Sequence, residues 1–124
     1  MIYQKKIIKM KKIYHLGTCN TCQRIINEIN PASDVILQDI KTEKITQDQI
    51  EEMHELAGSY EALFSRRAMK YRSMGLNEME LNEADYKRYI LQEYTFLKRP
   101  VILNEGEIFI GNAKKVVEQA KASF

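Results

Sequence analysis

The only two cysteines among the 124 residues of this chain, Cys19 and Cys22, stand three apart in the run Ile13-Tyr-His-Leu-Gly-Thr-Cys-Asn-Thr-Cys-Gln-Arg24. Two thiols at that spacing can face each other across the first turn of a helix, where one attacks a substrate and the other resolves the adduct as an internal disulfide. The same spacing also serves as half of a zinc site, which needs a second pair of ligands. The other imidazole candidates, His15 and His54, lie far apart in the chain. A pair of inert, unpaired thiols is the third reading.

What precedes the dyad favours redox chemistry. Lys12 to His15 read as a short strand that runs through Gly17 into Cys19. A strand, a tight turn and a helix place Cys19 at a helix N-terminus, where free backbone amides and the helix dipole lower a thiol pKa from about 8.5 towards neutrality. Cys19 is therefore the expected nucleophile, with Cys22 one turn inside. Cys22, Ile25, Ile26 and Ile29 follow the i, i+3, i+4, i+7 pattern, so the helix lays one face on the core. Asn30-Pro31 ends it.

The length suits one domain with one core. With 44% hydrophobic and 29% charged residues the composition is that of a soluble globular protein. A formal charge of +2 is too small to argue for direct nucleic-acid binding, although Lys5, Lys6, Lys9, Lys11 and Lys12 cluster at the start. Met10 opens a second candidate beginning, so residues 1–9 read as an N-terminal extension or a product of start-site choice. No stretch is long and apolar enough to cross a bilayer, and the N-terminus lacks the apolar run of a secretory signal. The expectation is a cytoplasmic protein without membrane partners, in which a vicinal dithiol stays mostly reduced and cycles during turnover.

Val35 to Ile40 read as a second strand, alternating Val35, Leu37 and Asp39 against Ile36, Gln38 and Ile40, parallel to the first through a right-handed crossover. After Lys41 the pattern is helical for about fifty residues. Thr46-Gln-Asp-Gln49 fits a capping box ahead of Ile50, Met53, Leu56 and Ala57. Ser59 can cap a helix from Tyr60 to about Phe64, and Gly75 marks a turn. Asn82 with Asp85 opens another helix that lines up Tyr86, Tyr89, Ile90 and Tyr94 as core packing. Val101 to Leu103 and Glu107 to Ile110 form a hairpin around Asn104-Glu-Gly106. Gly111 breaks the strand, Asn112 can cap, and Val116, Val117 and Ala120 mark a terminal amphipathic helix. The order β-α-β, helical insertion at about 46–97, then β-β-α is an α/β, thioredoxin-like plan: a mixed sheet flanked by helices in a single domain over 1–124.

Three pieces bring a family into view: Tyr14-His15 with Cys19 four residues after the histidine, Ala62-Leu-Phe-Ser-Arg-Arg-Ala-Met-Lys-Tyr-Arg72, and Lys98-Arg-Pro-Val-Ile102. In this order and at these separations they resemble the ArsC/Spx family, the arsenate reductase-like proteins of thioredoxin fold, over nearly all of Lys11 to Phe124. The resemblance implies that Cys19 is the nucleophile and that His15 helps to keep its thiol acidic. It implies that Arg99 binds an oxyanion or a thiol partner's carboxylate, and that the Arg99-Pro100 bond is cis. The second anion-binding arginine is expected at Arg67 rather than Arg66, with Arg66, Lys70 and Arg72 as solvated charges or partner contacts.

The activity so implied is that of a thiol-dependent reductase or thiol-disulfide oxidoreductase, in which Cys22 resolves the adduct formed on Cys19. Its substrate would be anionic or a disulfide. No metal or bound cofactor is implied, and a small thiol such as glutathione, or thioredoxin or glutaredoxin, would supply the electrons. Two departures limit the likeness. Glutathione-coupled arsenate reductases carry a further arginine after the last strand, where this chain has Gly111 and Asn112, and they lack a cysteine at the place of Cys22. Spx-type regulators have that second cysteine, which makes a redox-sensing regulator that binds RNA polymerase the alternative reading.

Overall fold

The computed structural model describes residues 10–124, so the clustered Lys5, Lys6 and Lys9 and the proposed extension over 1–9 lie outside the described residues. Four strands, β1 (Lys11–His15), β2 (Ile36–Asp39), β3 (Val101–Asn104) and β4 (Glu107–Ile110), form one sheet in the order β2-β1-β3-β4. β2 is parallel to β1, while β3 is antiparallel to both β1 and β4. Among the described residues five α-helices accompany the sheet: α1 (Asn20–Ile29), α2 (Gln47–Ala57), α3 (Met69–Ser73), α4 (Glu83–Gln92) and α5 (Lys114–Ser123). The expected mixed sheet with an insertion between β2 and β3 is thus the architecture observed.

Alternation in the central strands divides the core between the two faces of the sheet. Ile13 and Ile102 point to one face and pack with Ile25, Ile26 and Ile29 of α1 and Val117 and Ala120 of α5. Tyr14, Val101 and Leu103 point to the other and meet the insertion through Ile50, Met53, Phe64, Tyr86, Ile90 and Phe96. Being covered on both sides, all four β3 residues are buried. Among the described residues no helix is long and apolar enough to cross a membrane.

The expected caps at Thr46 and Asn82 form as complete capping boxes, with Gln49 and Asp85 returning to the cap amides. The hairpin turns on Glu105 and Gly106, both at positive φ, 47° and 91°. That combination matches the strand twist in a two-residue connection.

Four expectations are corrected. The second strand covers Ile36–Asp39 only, and its alternation fails: Ile36 and Leu37 are 56% and 48% exposed, while Gln38 is buried. β2 is an edge strand, so its apolar side chains lack full cover. Gln38 is satisfied by a reciprocal amide pair with Gln49, at 3.1 and 2.9 Å, and by the Glu43 carbonyl at 3.0 Å. The segment after Ser59 is a 3₁₀ turn over Glu61–Leu63, which Ser59 Oγ caps by accepting the Ala62 N–H. Tyr94 falls beyond α4 in another such turn, Tyr94–Phe96. Asn112 does not cap α5: the cap position is Ala113, and no side chain closes it.

Phe64 joins the insertion to the sheet, with ring centroids of Phe96, Tyr86 and Tyr71 at 5.1, 4.9 and 5.9 Å. Phe64→Ala should therefore destabilise the protein by about 3–5 kcal/mol, read as a lower urea midpoint.

Candidate functional site

The dyad is set by the end of β1. After His15 the chain makes a turn in which the Cys19 N–H donates to the Leu16 carbonyl at 3.0 Å. Cys19 is the N-cap of α1 in extended conformation, and its carbonyl accepts the Gln23 N–H at 3.1 Å, which starts the helix. Both cysteines are free, Cys19 partly exposed and Cys22 buried at 1% exposure. One turn of helix therefore separates a thiol at the surface from a thiol in the core.

That difference controls their acidity. Burial pushes the Cys19 thiol up, but the Cys22 amide, the Cys22 thiol, the Thr21 amide and the Arg99 guanidinium outweigh it, and the net shift is downward. The sulfur closes no full capping hydrogen bond, so it gains from these groups while staying open to a reactant. Cys22 is pushed up to about 11, first by burial and then by the neighbouring Cys19, against the opposing effects of the Leu16 backbone and Arg99. Near neutral pH Cys19 is the better thiolate, and Cys22 holds its proton.

Arg99 precedes Pro100 across a cis peptide bond, as expected, at the entry to β3. Its Nη1 donates to the Thr95 and Leu97 carbonyls at 3.3 and 3.2 Å, while its buried Nε has no partner. These bonds fix the guanidinium where its charge reaches both thiols and where it also lines a neighbouring cleft of about 480 Å³. The cleft is lined by Ser65, Arg66, Arg67, Lys98 and Arg99 on one side and by Gly111, Asn112 and Ala113 on the other, with no carboxylate among its walls. Gly111, at φ 90°, donates its N–H to the Pro100 carbonyl at 2.9 Å, which sets the uncapped start of α5 at the cleft. The free amides there add positive potential on the side where the further arginine is missing.

The two adjacent arginines have different surroundings. Arg66 Nη2 binds Glu61 Oε2 at 2.6 Å and the Tyr86 hydroxyl at 2.9 Å, so it is tied to the insertion. Lys70 is tied likewise to Glu93 at 2.5 Å. Arg67 makes no ion pair or hydrogen bond among the described residues, although it shares the cleft wall. Arg66 and Lys70, expected as solvated charges or partner contacts, stay about half exposed while they pair with Glu61 and Glu93.

His15 ends β1 opposite Asp39, and its Nδ1 lies 3.5 Å from Gln23 Nε2 of α1. It is placed beside the turn that carries Cys19 and is engaged with the helix. Among the described residues, no group of three or more His, Cys, Asp and Glu side chains could hold a metal ion. Sequence reasoning missed the open start of α5 as part of the site. The signal was present in Gly111-Asn-Ala-Lys-Lys115, which offers neither a capping acid nor an acidic first turn.

The high pKa of Cys22 has a measurable consequence. An unfolded thiol ionises near 8.5, whereas the folded one keeps its proton to about 11, so the folded state holds the extra proton between these values. The contribution of this group to stability is full below that window and is lost as pH rises through it. The urea midpoint of the reduced protein should fall more steeply from about pH 9 to pH 11 than that of Cys22→Ala.

A family model described as the ArsC family matches residues 14–120. No curated protein matches the chain. Among solved structures, the arsenate reductase from Vibrio cholerae superposes with a TM-score of 0.73 at 12% identity, over 94% of this chain and 100% of that one. The YffB (PA3664) protein gives 0.73 at 19% identity, over 90% and 98% of the two chains. The arsenate reductase-related protein from Brucella melitensis gives 0.68 at 19% identity, over 89% and 92%. At these identities the structures establish a shared fold. The family match, which takes in both cysteines, Arg67, Arg99 and the start of α5, shows that this chain belongs to the ArsC family.

Proposed function

We propose that the protein is a thiol-dependent reductase that uses Cys19 as nucleophile, Cys22 as resolving thiol, and Arg67 and Arg99 to hold the anionic part of the substrate. The observation that carries this reading is the unequal dyad beside a cationic cleft, with Arg99 common to both. An enzyme that forms and then releases a covalent adduct needs one ionised thiol within reach of substrate and one protonated thiol in reserve.

With a disulfide substrate, the Cys19 thiolate attacks one sulfur, the S–S bond breaks, and the outer sulfur leaves as a thiolate. Cys22 gives its proton to that leaving thiolate and attacks the Cys19 sulfur. The second substrate sulfur is expelled as a thiolate and the dyad becomes a disulfide. Two electrons have then passed from dyad to substrate, and a small thiol such as glutathione, or thioredoxin or glutaredoxin, returns them. Arsenate fits the same scheme: Cys19 displaces water from arsenic(V), and attack of Cys22 on the Cys19 sulfur releases arsenite. His15, engaged with Gln23 next to the turn, supports the thiolate in this reading. Arg67 is favoured over Arg66 as the second clamp because its guanidinium is uncommitted, while Arg66 is occupied by Glu61 and Tyr86.

The direct test supplies arsenate or a small disulfide with glutathione, glutaredoxin or thioredoxin systems and follows NADPH oxidation. Wild type should turn over with at least one donor, and Cys19→Ser with none. Absence of turnover with every pairing, together with specific capture of RNA polymerase by the protein, would sink the enzyme reading in favour of a redox-sensing regulator. Arg67→Ala and Arg99→Ala should each cost about 1.5–3 kcal/mol of anion binding, which raises KM on the order of ten- to a hundredfold. Arg66→Ala should act mainly on stability.

A further inference from the structure

A carboxylate on the neighbouring strand, which the reaction scheme leaves unused, lies against the turn that presents Cys19. Residues 16–19 form a turn closed by the Cys19 N–H on the Leu16 carbonyl, with Gly17 as its second residue. Asp39 ends β2 in register with His15, the last residue of β1. Its main-chain carbonyl accepts the Glu43 N–H at 2.8 Å and the Thr42 hydroxyl at 3.3 Å, which anchors the residue on its own side. Its Oδ1 accepts the Lys41 N–H at 3.1 Å, and its Oδ2 lies against Gly17.

A Cβ on Gly17 would lie 2.3 Å from Asp39 Oδ2 and 3.2 Å from its Cγ, so a side chain there would displace the carboxylate.

We propose that Asp39 is a positioning residue for the nucleophile: its carboxylate grips the Gly17 peptide and sets the Leu16–Cys19 turn so that the Cys19 sulfur meets the first amides of α1 and Arg99. The inference rests on the reading of Cys19 as the attacking thiol, and its test reads that thiol without any substrate. His15 and Lys41 are the other titratable groups acting on Asp39, and Cys22 and Arg99 those acting on Cys19. All four are kept in the variants below.

Positioning and simple charge predict opposite signs. An anion acting only through its field disfavours a nearby thiolate, so its removal would make Cys19 more acidic. Loss of the grip instead withdraws Cys19 from the groups that stabilise its thiolate and makes it less acidic.

The experiment is the pH dependence of iodoacetamide alkylation of Cys19 in reduced protein, followed by mass spectrometry of its peptide, with circular dichroism as the check on folding. Asp39→Ala and Gly17→Ala should each slow alkylation near neutral pH by about tenfold. The double variant Asp39→Ala, Gly17→Ala should be no slower than either single one, because both remove one contact. Alkylation of Asp39→Ala at or above the wild-type rate overturns the proposal. Should Asp39→Ala fail to fold, Gly17→Ala decides: a wild-type rate there overturns the proposal. Failure of every turnover assay would count against the reductase reading and leave this measurement valid.

Discussion

The antiparallel pairing of β1 with β3 is the constraint on which the site depends. Its register, Lys11 opposite Asn104 through Tyr14 opposite Val101, lays the end of one strand against the beginning of the other. The chain that leaves β1 for Cys19 and the chain that enters β3 through Arg99 and Pro100 must therefore meet at one edge of the sheet. Pairing of Val101 with Ile110 brings Gly111 and the start of α5 to the same edge. The bridge between Phe64 and Leu97 brings up the segment that carries Arg66 and Arg67. Four distant parts of the chain converge because two central strands are buried on both faces and cannot slip register without exposing their apolar side chains.

At that edge the chemistry is divided by burial. Cys19 and Cys22 carry the same functional group, and Arg99 lowers the pKa of both. Cys19 stands at the open end of a helix, where amides that bond to nothing else favour its anion. Cys22 lies one turn deeper against the apolar face of α1, where desolvation dominates. In the proposed scheme, the order of attack and resolution follows from depth within one turn of helix. The cleft beside it is cationic because Arg66, Arg67, Lys98 and Arg99 line it; Arg66 is bound by Glu61 and Tyr86, while Arg67 has no ion pair or hydrogen bond among the described residues.

What was legible in the sequence was local. The apolar stripe of α1 and the capping boxes at Thr46 and Asn82 depend on residues within a few positions of each other, and each formed as its pattern indicated; the hairpin also formed, but with Asn104 paired in β3 and only Glu105 and Gly106 in the turn. What was misread depended on distant partners. Gln38 looked like a strand residue of no special kind until Gln49, eleven residues on, matched its amide at the sheet edge. The Glu83 carboxylate accepts the Tyr60 and Glu61 amides across more than twenty residues, a cap that no local pattern announces. Asn112 is a good capping residue by type, yet the bond from Gly111 to Pro100 fixes the approach to α5, and the helix begins after Ala113.

By itself the sequence determined the dyad, its place between a strand and a helix, and the order of elements, since thiol spacing and hydrophobic period are short-range properties of the chain. Likeness to the family named Arg67, Arg99 and Pro100. Only the tertiary structure decided that Cys22 is buried deeply enough to hold its proton, that Arg66 is occupied while Arg67 has no partner among the described residues, and that Asp39 reaches across to Gly17. Each of these depends on burial or on contact between residues far apart in sequence, and both are created when the sheet closes over its core.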